Sequence, residues 1–364
     1  MLIAHRPGAI ADLGSIARNI GFTRTLLVAD PGLRGAGLID RARETLEASD
    51  ISVDVFDAFG ANPDSNTVEA GRAFAAPLGV DSIVALGGGS ALDTAKGVNF
   101  LLTNGGRMAD YRGYGRARHA LLPSIGIPTT AGTGSDAQSY CVIVDADSHL
   151  KMACGTPSAL FRAVILDPDL TATTPKSVRG AAAIDALAHV IETWVTTRQS
   201  PVSRLLSREA WALIAPAIVA SIESSDDARV RSDMLLGAHL AGAAIEASML
   251  GAAHACANPL TARYGTPHGV ALGVLVPHVV RWNAEHDASL YDGLGGVDRV
   301  VSLVDAGVAA AGFPTSLAAL GASRDDIPAL AAMAATQWTG GFNPRAFDAD
   351  AARVIYERAM RGST

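Results

Sequence analysis

Aromatic residues make up only 5% of this 364-residue chain and charged residues 18%; there are three cysteines and no cluster of lysine and arginine. The missing basic block, together with a net charge of −7, removes the usual electrostatic footprint of a nucleic-acid-binding protein, so no nucleic-acid partner is expected. Cys141, Cys154 and Cys256 show no Cys-x-x-Cys spacing. They suggest neither a disulfide framework nor a zinc knuckle, and a reducing cytoplasm fits. The opening MLIAHRPGAIADLG has no long apolar run after its one arginine and reads poorly as a signal peptide. The longest apolar stretches, such as Leu213–Ile222, fall short of the roughly 20 residues that span a bilayer, so no membrane partner is expected. What is present is ample core material, with 49% hydrophobic residues, in a length that suits two domains. A soluble intracellular enzyme is the expected class.

The first half alternates short β-branched runs with helical patterns. Arg24–Ala29, Ile51–Phe56 and Ser82–Leu86 read as strands, and Ala36–Ser49, Thr67–Leu78 and Ala91–Leu101 as helices between and after them. This rhythm predicts a parallel sheet covered by helices. Ser124–Pro128, Tyr140–Val144 and Ala163–Leu166 look like further strands. After Pro175 strand-like runs nearly vanish, and 178–196, 204–221, 226–248, 297–311 and 348–361 read as helices. The fold class expected is therefore an α/β nucleotide-binding domain with a Rossmann-like parallel sheet over 1–175, followed by an all-helical domain over 176–364.

Two small-residue loops follow predicted strands. In Gly87-Gly88-Gly89-Ser90 the glycines let backbone approach a pyrophosphate, and the helix that starts there offers free N–H groups. It is not the Gly-x-Gly-x-x-Gly fingerprint, and a tight turn without ligand reads almost as well. Pro128–Ser135 (PTTAGTGS) supplies hydroxyls and backbone access, and alone it also reads as a polar surface loop. Two such loops after strands of one sheet favour a shared ligand beyond the strand C-termini. Asp30 closes the first predicted strand. A carboxylate there can accept from an adenosine ribose and repel a 2′-phosphate, favouring NAD over NADP, or it can simply form a turn before Pro31.

Asp185 and His189 stand four residues apart in AAAIDALAHVIETWV, on one face of a predicted helix among apolar neighbours. His254 and His268 lie 14 residues apart, and Pro259, Gly265 and Pro267 argue against one unbroken helix between them. Asp185 and His189 alone read more readily as a hydrogen-bonded core pair; if His254 and His268 project from two adjacent helices toward the same point, the four would make an O,N,N,N set suited to Fe²⁺, Zn²⁺, Co²⁺ or Ni²⁺. Of the other histidines, His5, His119, His149 and His286 have polar surroundings and are expected at the surface, whereas His239 and His278 lie in apolar runs and read as satisfied core residues, with lining a pocket the second reading for His278, ten residues past His268.

Taken in order, GGGSALDTAKG (87–97), IPTTAGTGSD (127–136), Lys151, ILDPDLTATTP (165–175), IDALAHVIETW (184–194), HACANPLTARYGTPHG (254–269), LVPHVVRWN (275–283) and NPR (343–345) resemble the iron-containing, or group III, alcohol dehydrogenases over nearly the whole chain. The resemblance implies a metal, Fe²⁺ or Zn²⁺, on Asp185, His189, His254 and His268. It implies NAD contacts at Asp30, Asn62, Gly88, Gly89, Ser90, Asp93, Thr129, Thr130, Thr133, Val142 and Lys151, with the chain passing the nicotinamide at Leu170 and Thr174. It also implies a homodimer or larger assembly, an active site in a cleft, and hydride exchange between NAD(H) and a small alcohol or its aldehyde or ketone. Asn258 replaces a histidine that many members carry, and Asp136-Ala137-Gln138-Ser139 departs from the usual pattern. A dehydroquinate-synthase-like NAD- and metal-dependent lyase or cyclase shares this architecture. It calls for more Lys and Arg near the metal than Arg263 alone supplies.

Overall fold

The computed structural model describes residues 1–60, 62–148 and 150–362. The chain divides into two compact units, Met1–Thr173 and Thr174–Thr364.

The first unit contains β1 (Leu2–His5), α1 (Leu13–Ile20), β2 (Arg24–Ala29), α2 (Leu38–Glu47), β3 (Ser52–Phe56), α3 (Ser65–Ala75), β4 (Ser82–Gly87), α4 (Gly89–Asn104), β5 (Gly113–Tyr114), β6 (Ser124–Pro128), β7 (Tyr140–Val144), β8 (Lys151–Gly155) and β9 (Ala163–Leu166). Six strands form a sheet in the order β1-β9-β6-β4-β2-β3, every pairing parallel. All of β4 and β6 and five of six residues of β2 are buried, as a sheet covered on both faces requires. One core cluster gathers Leu27, Leu86, Ile125 and Ile165 from the strands with Leu13, Ala42 and Leu46 from the helices. From β2 the chain steps outward to β3 and then returns to β4 on the other side of β2. The connections leaving β2 and β4 therefore diverge, and a crevice opens where they part.

Periodicity located most of these elements to within a few residues. The pattern missed β1, α1, β5 and β8. The strand β8 joins β5 and β7 in a separate three-stranded sheet that was not expected.

The second unit is helical: α5 (Lys176–Val195), α6 (Pro201–Glu223), α7 (Ala228–Glu246), α8 (Ala252–Tyr264), α9 (His268–Ala284), α10 (Val297–Ala311), α11 (Ile327–Ala335) and α12 (Ala349–Ala359). From Ala183 to Val195 every residue of α5 is buried, and the helix is packed by α6, α7, α9 and α10. One expectation needs correcting here. The helix α6 extends well beyond Leu213–Ile222, and over 23 residues it is long and apolar enough to cross a membrane by length and composition. It packs on α5, α7 and α10, with 39% of its apolar window buried, and a single helix that passes this test is weak evidence of a membrane span. His119 and His286 are exposed, His5 is half-buried and His239 and His278 are buried; His149 lies outside the described residues. The expected hydrogen bonding of His278 is not met at Nε2, which is buried without a partner.

Candidate functional site

The diverging connections of the first unit carry the small-residue loops. Asp30 ends β2, and its carboxylate accepts the Gly32 N–H at 2.9 Å, an Asx turn that fixes the side chain just past the strand. The backbone of Gly87, at φ +148°, leaves β4 right beside it; a Cβ there would stand 2.9 Å from the Asp30 Cβ. The 16-residue α4 begins at Gly89, so its unpaired N–H groups open at the same place. The second loop closes over this helix start. A Cβ on Gly88 would approach Thr130 Oγ1 to 3.3 Å, and one on Gly89 would strike Thr133 Cγ2 at 2.6 Å. Asn62 holds a left-handed backbone (φ +53°) and donates its N–H to Ser90 Oγ at 3.2 Å, bringing a third loop to the same point. Asp30, Asn62, Gly88, Gly89, Ser90, Thr130 and Thr133 are thus neighbours, and Thr129 is tied to the same group through its N–H bond to the Gly87 carbonyl at 3.0 Å.

One turn into α4, buried polar groups hold this arrangement. Asp93 accepts from Ser135 Oγ at 2.5 Å and from the Val142 N–H at 3.1 Å. Burial raises its carboxyl above the ordinary value against the pull of Lys96. The Lys96 ammonium, itself buried, donates to the carbonyls of Ser135, Gln138 and Tyr140 at 2.6, 2.5 and 2.9 Å. Asp93 and Val142 are therefore adjacent, and their polar atoms serve the scaffold. Lys151 stands opposite Val144 in the β7–β8 ladder. The side chain of Leu170 packs into the core cluster, and the Thr174 carbonyl accepts from Arg179 at 2.8 Å.

In the second unit, Asp185 and His189 share one face of α5, and His254 and His268 arrive from α8 and α9. The break between those two helices falls at Gly265 (φ +65°) and Pro267, whereas Pro259 lies inside α8. All three imidazoles turn Nε2 toward Asp185 Oδ1, at 3.2 Å from His189, 3.6 Å from His254 and 4.0 Å from His268. These separations bracket the edge of about 3.4 Å for a tetrahedron of ligands some 2.1 Å from a cation. Donor atoms of Asp185, His189 and His254 lie within 4.8 Å of one another, all buried. Asp185 Oδ1 and His254 Nε2 lack any hydrogen-bond partner, a costly arrangement for buried polar atoms unless a cation joins them.

Charge points the same way. Burial opposes ionisation of Asp185, but His189, with His254 and His268, outweighs it and holds the carboxyl well below its ordinary range. Burial likewise opposes a charged His254, yet the Glu192 and Asp185 carboxylates raise that ring to about 9. The two carboxylates that favour a proton on this ring favour a cation there as well, which must displace that proton to bind Nε2. The side chain of His268 keeps 23% of its surface exposed and marks the open side of the cluster.

Sequence reasoning assigned no role to Glu192, whose carboxylate bonds to His254 Nδ1. Its position, three residues past His189 and seven past Asp185, was the available signal, since these spacings share a helical face. Asn258, one turn past His254, donates to Gln337 Oε1 at 3.0 Å. Arg263 is paired with Asp326.

Comparison with known proteins gives two family matches. A model described as iron-containing alcohol dehydrogenase matches residues 2–168, and the Fe-containing alcohol dehydrogenase family C-terminal model matches 180–360. The lactaldehyde reductase of Escherichia coli K12 is 32% identical, over 93% of this chain and 92% of its own. The crystal structure of a 1,3-propanediol oxidoreductase superposes with TM-score 0.94 at 29% identity, covering 99% of this chain and 98% of that one. A sulfoacetaldehyde reductase from Bifidobacterium kashiwanohense, solved in complex with NAD⁺, superposes with TM-score 0.88 at 25% identity, over 99% and 96%.

Proposed function

Since the chain belongs to the iron-containing alcohol dehydrogenase family, we propose that it interconverts a small alcohol and its aldehyde or ketone with a divalent metal on Asp185, His189, His254 and His268 and with NAD(H) as hydride carrier. The observation that carries the proposal is the convergence of three imidazole Nε2 atoms on one buried carboxylate oxygen, with two of these donor atoms otherwise unpartnered. Iron is the metal the family name favours, and Zn²⁺ suits the same donors. The metal, when bound, supplies Lewis-acid polarisation of the substrate oxygen. The residues do the rest: Asp185 contributes charge, the histidines fix direction, and the partly exposed His268 leaves a side open to a small molecule.

The nicotinamide supplies the hydride. The protein offers its nucleotide a place at the β2/β4 switch point. The start of α4 and the Gly88–Gly89 backbone face the pyrophosphate, with the Thr130 and Thr133 hydroxyls beside them. The Asp30 carboxylate accepts from the ribose and discourages the 2′-phosphate of NADP. Solution of the sulfoacetaldehyde reductase with NAD⁺ supports this choice. Asn258 cannot accept a proton as a base, so the alcohol proton leaves through water or the cofactor ribose. The engagement of Arg263 with Asp326 weakens the lyase reading, which needs free cations at the metal to grip an anionic substrate. Placement in the cytoplasm and assembly as a homodimer or larger belong to the same proposal.

The test is metal content measured beside NADH oxidation with a panel of small aldehydes, in the wild type and in His268→Ala. About one metal per chain and turnover lost in the variant support the proposal. A folded, NAD-binding protein without metal, inactive on every aldehyde, overturns it.

A further inference from the structure

The carboxylate of Glu192 is buried and bonds in two directions at once. One oxygen accepts the backbone N–H of Ala253 at 2.7 Å, and the other is bonded to Nδ1 of His254. Ala253 and His254 are the second and third residues of α8, within the turn whose N–H groups find no partner inside the helix. The first of these groups, on Ala252, goes to Asn343 Oδ1 at 3.3 Å; Asn343 is anchored by Asn283, which accepts from it at 2.8 Å. Gly251 admits this double cap, since a Cβ there would stand 3.0 Å from both the Asn343 and the Glu192 oxygens. One carboxylate from α5 thus sets both the start of α8 and the ring two residues in.

An imidazole that donates from Nδ1 keeps its lone pair on Nε2. In His254 that is the atom facing Asp185 Oδ1, without a hydrogen-bond partner. We propose that Glu192 is a positioning residue for the cation: it holds one ring proton of His254 on Nδ1, so that Nε2, beside Asp185, is the nitrogen left to give up its proton and face the cation, while its second oxygen clamps α8 at the height that aims the ring. The inference rests on the metal reading above and adds a residue to it that touches neither metal nor substrate.

A glutamine separates the two jobs. Its carbonyl can still cap Ala253, but its amide N–H faces His254 Nδ1, turning that atom into an acceptor and moving the ring proton to Nε2. A purely structural role survives E192Q; a positioning role does not. The experiment strips wild type and E192Q of metal, compares their thermal unfolding, and titrates each with Zn²⁺ against a chelating dye. Expected is an E192Q protein that unfolds near the wild-type temperature and binds Zn²⁺ about 10–100-fold more weakly. Nitrogen-15 spectra of histidine-labelled, Zn²⁺-loaded wild type provide a measurement independent of whether the variant folds: His254 should carry its proton on Nδ1 and the metal on Nε2. Wild-type binding matched by E192Q within twofold, or metal found on Nδ1, overturns this inference alone. Wild type that takes up no Zn²⁺ overturns the metal reading and this inference with it.

Discussion

A close approach of two helices beside the Asp185–histidine cluster yields a sharp prediction. Gly269, the second residue of α9, lies against α5 so tightly that a Cβ on it would stand 1.9 Å from the Ala181 carbonyl oxygen and 2.9 Å from its Cα. A real Cβ essentially never stands within 3.0 Å of such an atom. In Gly269→Ala the methyl and the carbonyl must therefore part by about 1.1 Å, the difference between 3.0 and 1.9 Å. The obstacle is backbone of a buried helix rather than the end of a flexible side chain. Overpacking of this kind costs about 1–3 kcal/mol or more, and helix propensity returns at most about 1 kcal/mol, so a net loss near 2 kcal/mol is expected. In a unit of this size that lowers the unfolding temperature by roughly 4–8 °C. All four tryptophans, Trp194, Trp211, Trp282 and Trp338, lie in the second unit, so intrinsic fluorescence reports its unfolding selectively. His268 precedes the displaced residue, so Zn²⁺ affinity should fall in the same variant. The internal control is Gly307→Ala in α10, where the nearest atom to a new Cβ is 3.5 Å away, an ordinary contact; it should hold or raise stability. If Gly269→Ala melts within 1 °C of wild type and binds metal equally well, the close approach of α5 and α9 does not set the cluster and the reasoning fails.

Three further outcomes follow from other parts of the molecule. Gly89→Val places a branched side chain where Cβ alone meets Thr133 at 2.6 Å, at the start of α4; NADH binding, followed by fluorescence titration, should weaken about tenfold or more with Zn²⁺ affinity unchanged. Lys96→Met strips one buried and two part-buried carbonyls of their donor and should destabilise the first unit by about 2–4 kcal/mol, read by circular dichroism in a urea titration. Burial, aided by Arg281 and Arg358, pushes His278 down to about 4 from 6.5, so the unfolded chain takes up the proton more readily. Stability is then fully present above pH 6.5 and is lost as the pH falls through 4, by up to about 1.4 kcal/mol per unit. His278→Leu should flatten that slope in urea titrations at several pH values, and an unchanged slope would contradict the assignment.

What the sequence determined by itself was local. A strand buried on both faces reads as a near-continuous apolar run, and Leu26–Ala29 and Ile83–Leu86 made their strands legible for that reason. The pairing of Asp185 with His189 follows from the helical repeat, and the glycines before α4 mark a strand-to-helix turn wherever they occur. Length does not explain why β1 and β8 escaped, since β6, β7 and β9 are no longer and were legible; β1 becomes a strand only by pairing with β9, some 160 residues later. Pro259 misled in part: the helix ends at Gly265 and Pro267 instead, and α8 carries the proline within a segment packed by α9 and α11.

The tertiary structure decided the rest. It brings Nε2 of His254 and His268, from two other helices, to one oxygen of Asp185, and it sets Glu192 behind His254 rather than among the donors. It also carries Asn343, from near the C-terminal end, to the start of α8. None of these relations has a period or spacing along the chain, because each depends on how closely two helices approach. That distance is fixed by the residues between them, such as Gly269 against Ala181 and Gly251 beneath Glu192, where the absence of a single Cβ permits the contact.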